Sequence, residues 1–264
     1  MAFARNVRIS SLRMVHRARS SHIGACFSMT DILAVLFTSV LRVDPADPLR
    51  PDRDRLIVSK GHAAAALYAS LAERGFLPHA ELETYCEDGS NLSGHVTRTA
   101  PGIEVSSGSL GHGLPMGCGM ALAAKRDGSP ARVFVVLGDG ELNEGSNWEA
   151  AQFAARHGLD NLTAVVDHNK LQGYGTTDEV LGLSDIAGRF AAFGWAAHEA
   201  DGHDHARLAA LLGAGPGQGQ PVCIVAHTVK GKGVSFMEGQ LAWHYRSPDD
   251  ETFQRALAEL EGRS

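Results

Sequence analysis

Val133-Phe134-Val135-Val136-Leu137-Gly138-Asp139-Gly140 opens the stretch that decides the fold, and Leu162-Thr163-Ala164-Val165-Val166-Asp167-His168-Asn169 closes it. The first begins as an unbroken, β-branched apolar run and the second as a shorter run of the same kind. A strand with one wet face alternates apolar and polar residues, whereas an unbroken run belongs to a central parallel strand covered on both faces. Glu144 to Arg156 between them reads as a helix, so the segment forms a βαβ unit. Asp139 and Asn169 then stand at the carboxyl ends of neighbouring strands, the edge at which open parallel sheets bind ligands.

The same alternation extends outward. Residues 3–19 and Thr30 to Leu41 read as helices, the second strongly apolar and buried. Leu56-Ile57-Val58 reads as a short strand and Ala63 to Arg74 as an Ala-rich helix. A segment from Gly108 to Lys125 opens with glycines and runs into another helix. A Gly-rich loop is expected over 173–182, a strand over Phe193 to Ala197, a helix near His205 to Leu212, and a strand over Val222 to Ala226. An exposed connector over 213–221 and a surface helix from Pro248 to Leu260 complete the pattern. Helices alternating with strands predict an α/β protein with a parallel sheet between two helical layers, a three-layer α/β/α domain. No internal repeat or second domain is evident, so residues 1–264 are expected to form one domain.

Composition narrows the function. The 264 residues carry 24 Lys and Arg against 30 Asp and Glu, a net charge of -6. Nucleic-acid binding by counterion release needs a concentrated positive surface, so no nucleic-acid partner is expected. The longest apolar run, about Ile32 to Leu41, is too short to span a bilayer, and no membrane association is expected. Four scattered cysteines without a Cys-x-x-Cys pair exclude a zinc ribbon and fit reduced thiols in the cytoplasm. Residues 1–30 carry five arginines and no acid, which fits either an Arg-rich transit peptide or the exposed face of a first helix. The helix is preferred, because a motif begins at Ser21 and cleavage would damage it. A nicotinamide-binding Rossmann domain is disfavoured: no strand opens into Gly-x-Gly-x-x-Gly, and Gly215-x-Gly217 and Gly231-x-Gly233 fall in loops.

Gly138-Asp139-Gly140 alone is compatible with a strand-to-helix turn capped by Asp. Joined to Asn169 it says more. A carboxylate and a carboxamide oxygen from adjacent strand ends are hard ligands suited to Mg²⁺ when phosphate oxygens complete the shell. The paired segment resembles the thiamine diphosphate-binding motif. Glu144, Gly145, Trp148, Glu149 and Ala150 within it resemble transketolase in particular. The resemblance continues through Ser21-His22-Ile23-Gly24, Ser59-Lys60-Gly61-His62-Ala63, Ser93-Gly94-His95, Gly108-Ser109-Leu110-Gly111-His112-Gly113 and Trp243-His244, in the family's order.

The resemblance implies a thiamine diphosphate domain of the type that holds the diphosphate. Mg²⁺ would be bound by Asp139, Asn169 and the carbonyl of Leu171. His62, Gly108, Ser109, Leu110, His112, Asp139, Gly140, Glu141, Asn169 and Lys230 would surround the cofactor, although His112 stands where full-length transketolases have glutamine. A solvated loop is an equally good reading of Lys230 and Lys232. His22, His62, His95 and His244 would move protons and bind sugar hydroxyls, as an imidazole with a pKa near 6.5 can. Glu144 would belong to a carboxylate network reaching a second active site. The cofactor would supply the carbon–carbon bond cleavage.

The glutamate that activates thiamine lies, in this family, on a separate pyrimidine-binding domain, for which this sequence has no counterpart. The expectation is therefore the N-terminal subunit of a two-component transketolase. It would be active only with a C-terminal subunit that supplies that domain and glutamate, in an α₂β₂ heterotetramer. It would move a two-carbon ketol unit from a sugar phosphate donor to an aldose acceptor. One alternative keeps the chemistry but places it in a specialised pathway with an unusual sugar or keto acid. Another is a non-catalytic cofactor-binding subunit.

Overall fold

The two apolar runs lie side by side in a computed structural model that describes residues 2–215 and 218–263. Helices α1 (Ala2–Arg17) and α2 (Ile23–Val35) precede strand β1 (Arg55–Val58) and helix α3 (Ala64–Arg74). Helix α4 (Gly113–Arg126), strand β2 (Val133–Gly138), helix α5 (Gly145–Arg156) and strand β3 (Leu162–His168) follow. The chain continues through α6 (Thr177–Leu181), α7 (Ile186–Ala192), β4 (Ala196–Asp201), α8 (His205–Leu212), β5 (Val222–His227) and α9 (Asp250–Glu261). The five strands form one sheet in the order β1-β2-β3-β5-β4, every pair parallel. Val133 pairs with Leu162 and Gly138 with Asp167, so the chain leaves β2 and β3 within about one residue of the same level.

Alternation along the strands separates two cores. Phe134, Val136, Val165 and Ile224 face one side, with Val7, Leu12, Phe27, Met29 and Leu257 from α1, α2 and α9. Val133, Val135, Leu137, Ala164 and Val225 face the other, with Cys118, Ala151, Ala154 and Phe190 from α4, α5 and α7. All six residues of β2 are buried, as a strand covered on both faces must be. The result is the expected three layers.

The Arg-rich N-terminal segment is a packed helix. Ala4, Val7, Leu12, Met14 and Val15 of α1 are buried, and the helix lies against α2, α3 and α9. All thirteen residues of α2 are buried, so this helix, apolar all round, forms the centre of one layer. It begins at Ile23 rather than Thr30 and continues into a π-helical turn, Leu36–Val40. The continuous helix Ile23–Val40 has the length and apolarity of a membrane span, contrary to the short run expected, yet 89% of it is buried inside the protein.

Other boundaries also differ. The helix expected from Gly108 begins at Gly113, because Gly108 and Gly111 have positive φ and keep 108–112 out of helical geometry. Glu144 caps α5 from outside it. The strand expected over 193–197 lies at Ala196–Asp201; its polar, partly exposed sequence is that of an edge strand. The loop over 173–182 contains α6, closed by a capping box between Thr176 and Glu179. The C-terminal helix is not wholly superficial: Ala256, Leu257 and Leu260 are buried. Residues 216–217 of the expected connector, including Gly217 of the second Gly-x-Gly, lie outside the described residues. Cys26, Cys86, Cys118 and Cys223 are all free thiols.

Candidate functional site

Beyond the carboxyl ends of β1, β2, β3 and β5 lies a cavity of about 310 Å³. Its wall is built from close backbone contacts. A Cβ on Gly61 would fall 2.5 Å from the carbonyl carbon and oxygen of Ser107, so only glycine lets the turn after β1 meet that loop. Gly108, at φ +132°, lies beneath the His95 ring. Glu141 ties these pieces together. Its Oε1 accepts from Ser59 Oγ and from the Gly111 N–H at 3.0 Å, and its Oε2 accepts from the Gly138 N–H at 3.1 Å. Burial raises the Glu141 carboxyl above its ordinary range against these donors. Both oxygens are engaged within the protein, so Glu141 braces the wall it lines.

Asp139 joins the ends of two strands. Its Oδ1 accepts from the Gly140 N–H at 2.8 Å and its Oδ2 from the Lys170 N–H at 2.6 Å. Asn169 Oδ1 accepts from the Leu171 N–H at 3.1 Å. Both side chains line the cavity, with the backbone holding their oxygens in place. Burial, reinforced by nearby Asp167, pushes the Asp139 carboxyl up to about 6. Lys60 opposes the rise without pairing with this aspartate, its ammonium being engaged by Asp167. Among the described residues no three His, Cys, Asp or Glu side chains converge on a metal position. The expected ligand set is of another kind: one carboxylate, one carboxamide and one carbonyl.

Four histidines gather in the same cavity. The His22 ring centroid lies 5.1 Å from that of His62, 5.8 Å from His95 and 5.0 Å from His244, and His62 lies 5.8 Å from His244. His22 is held at φ 74°, a left-handed conformation uncommon outside glycine. Its N–H donates to the His244 carbonyl at 3.0 Å, and Ser21 Oγ lies 2.9 Å from its Nδ1. Burial, then His95, Lys230 and Lys60, lowers His22 to about 4. Burial, then Lys230, His22 and Lys60, lowers His244 to about 3. Burial and Lys60 hold His62 well below 6.5. These three imidazoles are neutral at pH 7 and available as both donors and acceptors.

Lys230 is buried, and its Nζ donates to the Leu171 carbonyl at 3.0 Å and lies 2.9 Å from His244 Nδ1. Burial and Lys60 lower its ammonium to about 8. The solvated-loop alternative for this lysine is therefore excluded. Lys232 does belong to such a surface, paired with Glu238 at 3.4 Å.

His22, His62, His95, Gly108, Leu110, Asp139, Gly140, Glu141, Asn169, Leu171, Lys230 and His244 all line the one cavity. Ser109, His112 and Glu144 do not; all three are exposed. His112 caps its own loop, its Nδ1 3.1 Å from the Leu110 carbonyl.

Sequence reasoning passes over a charge pair behind the site. Lys60 Nζ contacts Asp167 Oδ2, which also accepts from Ser28 Oγ at 2.6 Å, while Thr228 Oγ1 donates to Asp167 Oδ1. Burial works to raise the Asp167 carboxyl, but Lys60 and the two hydroxyls outweigh it and hold it below its ordinary value. A lysine directly after a buried strand is the available signal. Gln172, also unforeseen, lines the cavity with a buried Nε2 that has no partner. A Cβ on Gly140 would meet the Gln172 side chain at 2.8 Å, so glycine lets Gln172 pack against the turn after β2.

A magnesium diphosphate group suits this chemistry. Hard oxygen donors, an ammonium, neutral imidazoles and an orphaned amide donor share the one cavity.

The fold and cavity together define a parallel α/β domain with a cavity of charged and polar side chains at its strand ends. The sequence matches the transketolase thiamine diphosphate-binding domain over residues 1–257, and the chain belongs to that family. It is 44% identical over 241 residues to an apulose-4-phosphate transketolase subunit of Actinobacillus succinogenes, covering 91% of this chain and 87% of that protein. It is 40% identical over 257 residues to a 6-deoxy-6-sulfo-D-fructose transketolase subunit of a Clostridium species, covering 97% and 94%. The crystal structure of Campylobacter jejuni transketolase superposes with a TM-score of 0.91 at 29% identity, covering 99% of this chain but 43% of that one. The chain thus has the length of the separate subunits and under half that of the crystallised transketolase.

Proposed function

We propose that this chain is the diphosphate-holding subunit of a two-component, thiamine diphosphate-dependent transketolase that acts on a specialised sugar carrying a terminal anionic group. The observation that carries the reading is the placement of Asp139 and Asn169 at adjacent strand ends, in one cavity with four clustered histidines. Relatives matched over nearly their whole length are subunits named for apulose-4-phosphate and 6-deoxy-6-sulfo-D-fructose. That favours a specialised donor over a general pentose phosphate activity, reversing the order of the two readings drawn from sequence.

Asp139, Asn169 and the Leu171 carbonyl would hold Mg²⁺, and Lys230 and His62 would face the diphosphate. Bound thiamine diphosphate supplies the carbon–carbon bond cleavage and the electron sink for it. His22, His95 and His244 bind donor hydroxyls and pass protons; general acid–base help of this kind is worth roughly 10²–10⁴-fold. The neutral state of His22 and His244 leaves a ring nitrogen on each free to accept a hydroxyl proton, and an arriving polyanion stabilises the imidazolium that forms. The partner is a C-terminal transketolase subunit bringing the pyrimidine-binding domain, in an α₂β₂ assembly. Glu144, exposed and outside the cavity, is placed for a contact between subunits rather than with the cofactor of its own chain.

The test is calorimetric titration of thiamine diphosphate with Mg²⁺ into the complex of this chain with such a subunit, for wild type and Asp139→Ala. Wild type is expected to bind and the variant to lose affinity by at least about 100-fold, the scale of an emptied metal position. Unchanged affinity in Asp139→Ala sinks the metal assignment. A panel of ketose phosphates and ketose sulfonates then identifies the donor.

A further inference from the structure

Outside the cavity, one carboxylate gathers three cationic or protonatable side chains from distant parts of the chain. Asp31 of α2 accepts from Arg8 of α1 at 2.6 Å, and lies 2.7 Å from His203 Nδ1 and 2.8 Å from His205 Nε2. His203 sits in the turn between β4 and α8, and His205 begins α8. The two histidines differ in one respect. His203 Nε2 lies 2.9 Å from the Val229 backbone nitrogen, whereas His205 reaches only Asp31.

The partners fix the proton on His203. The Asp31 carboxylate only accepts, so Nδ1 carries hydrogen; the Val229 N–H only donates, so Nε2 is the acceptor. Val229 immediately precedes Lys230. The flanking backbone is anchored by Gly231 N–H to the Gly24 carbonyl at 3.0 Å and Thr228 N–H to the His168 carbonyl at 3.1 Å. The Val229 carbonyl accepts from the Lys232 N–H at 3.1 Å within the same turn, so the bond from its N–H to His203 is the one that ties the lysine's backbone through Asp31 to α1 and α2.

We propose that His203 is a positioning residue that holds the Val229–Lys230 backbone and so aims the Lys230 ammonium into the cavity for the cofactor's diphosphate. The role rests on the functional reading above. A carboxylate–imidazole–amide relay of this kind orients a group without touching the ligand, as outer partners orient metal-ligating side chains.

The test compares four variants of the full chain. His203→Gln keeps an acceptor near the position of Nε2, so it retains the Val229 bond. His203→Asn keeps a donor near the position of Nδ1, so it retains the Asp31 bond and loses Val229. His203→Ala loses both, and His205→Ala removes a comparable Asp31 bond without touching Val229. Two quantities are read: amide hydrogen exchange in peptide 224–236 without ligand, and the Kd of magnesium thiamine diphosphate. His203→Ala and His203→Asn are expected to speed exchange at Val229 and weaken binding, each about tenfold. His203→Gln is expected to stay within about threefold of wild type on both measures, the scatter of a preserved hydrogen bond. His205→Ala is expected to lower the melting temperature alone. Equal effects from His205→Ala and His203→Ala, or a wild-type His203→Asn, overturn the proposal. Asp139→Ala, titrated alongside, separates the two claims. If it binds cofactor normally the functional reading fails, whereas if it loses cofactor while His203→Asn does not, only the positioning role fails.

Discussion

Replacing Asp167 by Asn tests whether the pair behind the site is as isolated from water as its geometry indicates. The Asp167 side chain is 0% exposed and that of Lys60 is 2%. Asparagine preserves the shape and an acceptor for one of the two hydroxyls, those of Ser28 and Thr228, which bond different oxygens of Asp167, but leaves the Lys60 ammonium without its countercharge. Removing one partner of a buried pair costs about 3–5 kcal/mol. At roughly 2–4 °C per kcal/mol for a domain near this size, the melting temperature should fall by about 6–20 °C. Urea unfolding followed by circular dichroism gives the free energy directly, with Lys60→Met and the double variant completing a cycle. In the double variant neither charge remains, so its loss should be smaller than the sum of the single losses by about 1–3 kcal/mol. A cost below about 1 kcal/mol for Asp167→Asn, or strict additivity in the cycle, would show that water reaches Lys60 and that the pair does not hold β3 to the turn after β1.

Two other outcomes concern the packing of α4 and the response to pH. A methyl group on Gly117 of α4 would lie 2.6 Å from Val135 Cγ2, a stiff branched side chain in the core. Gly117→Ala gains up to ~1 kcal/mol in helix propensity but overpacks at a cost of ~1–3 kcal/mol, so urea melts should show a net loss of about 1 kcal/mol with unchanged m; a stabilised variant would refute the packing of α4 on β2. His22 titrates near 4 in the folded chain against an ordinary value of 6.5, chiefly through burial. Between these values the unfolded chain binds the extra proton, so stability from this group is complete above pH 6.5 and is lost as pH falls toward 4. His62 and His244 act in the same sense; Asp139 and Glu141, whose carboxyls are raised, oppose them. His22→Asn should therefore flatten the stability–pH slope between pH 4 and 6.5 by up to about one proton relative to wild type, and an unaltered slope would place His22 in water.

Much of the fold is legible in the sequence because burial on both faces leaves a mark. β2 is apolar without interruption and β3 holds the shorter run Ala164-Val165-Val166, and the short length and β-branched residues of both decide for strands over a buried helix. The edge strand β4, Ala-Ala-His-Glu-Ala-Asp, shows little of it, because only Ala200 is fully buried; its pairing with β5 is tertiary information. Helix α2 starts seven residues before its most apolar run, because Ser21-His22-Ile23-Gly24 carries a functional motif and a glycine, both of which read as loop. The left-handed His22 ends the loop, and the helix starts at the next residue. Glycines over 173–182 likewise conceal α6, although Thr176 and Glu179 spell its capping box.

The site is legible to the extent that its charges remain uncompensated. Asp139 and Asn169 end strands and face open space, so their positions along the chain already mark them as candidates for a ligand. Lys60 and Asp167 also follow or end strands, but they satisfy one another, and only three-dimensional register shows that the turn after β1 meets the end of β3 across β2. The distinction is physical. Lys60 and Glu141 line the cavity yet are engaged by Asp167, by Ser59 and by the Gly111 and Gly138 amides. Subtracting them leaves Asp139, raised by burial, and Lys230, lowered by burial. A carboxylate short of a cation and an ammonium short of an anion, in a single cavity but not paired with each other, call for a ligand that carries both signs. A divalent metal bound to a diphosphate is such a ligand, and it relieves both groups at once.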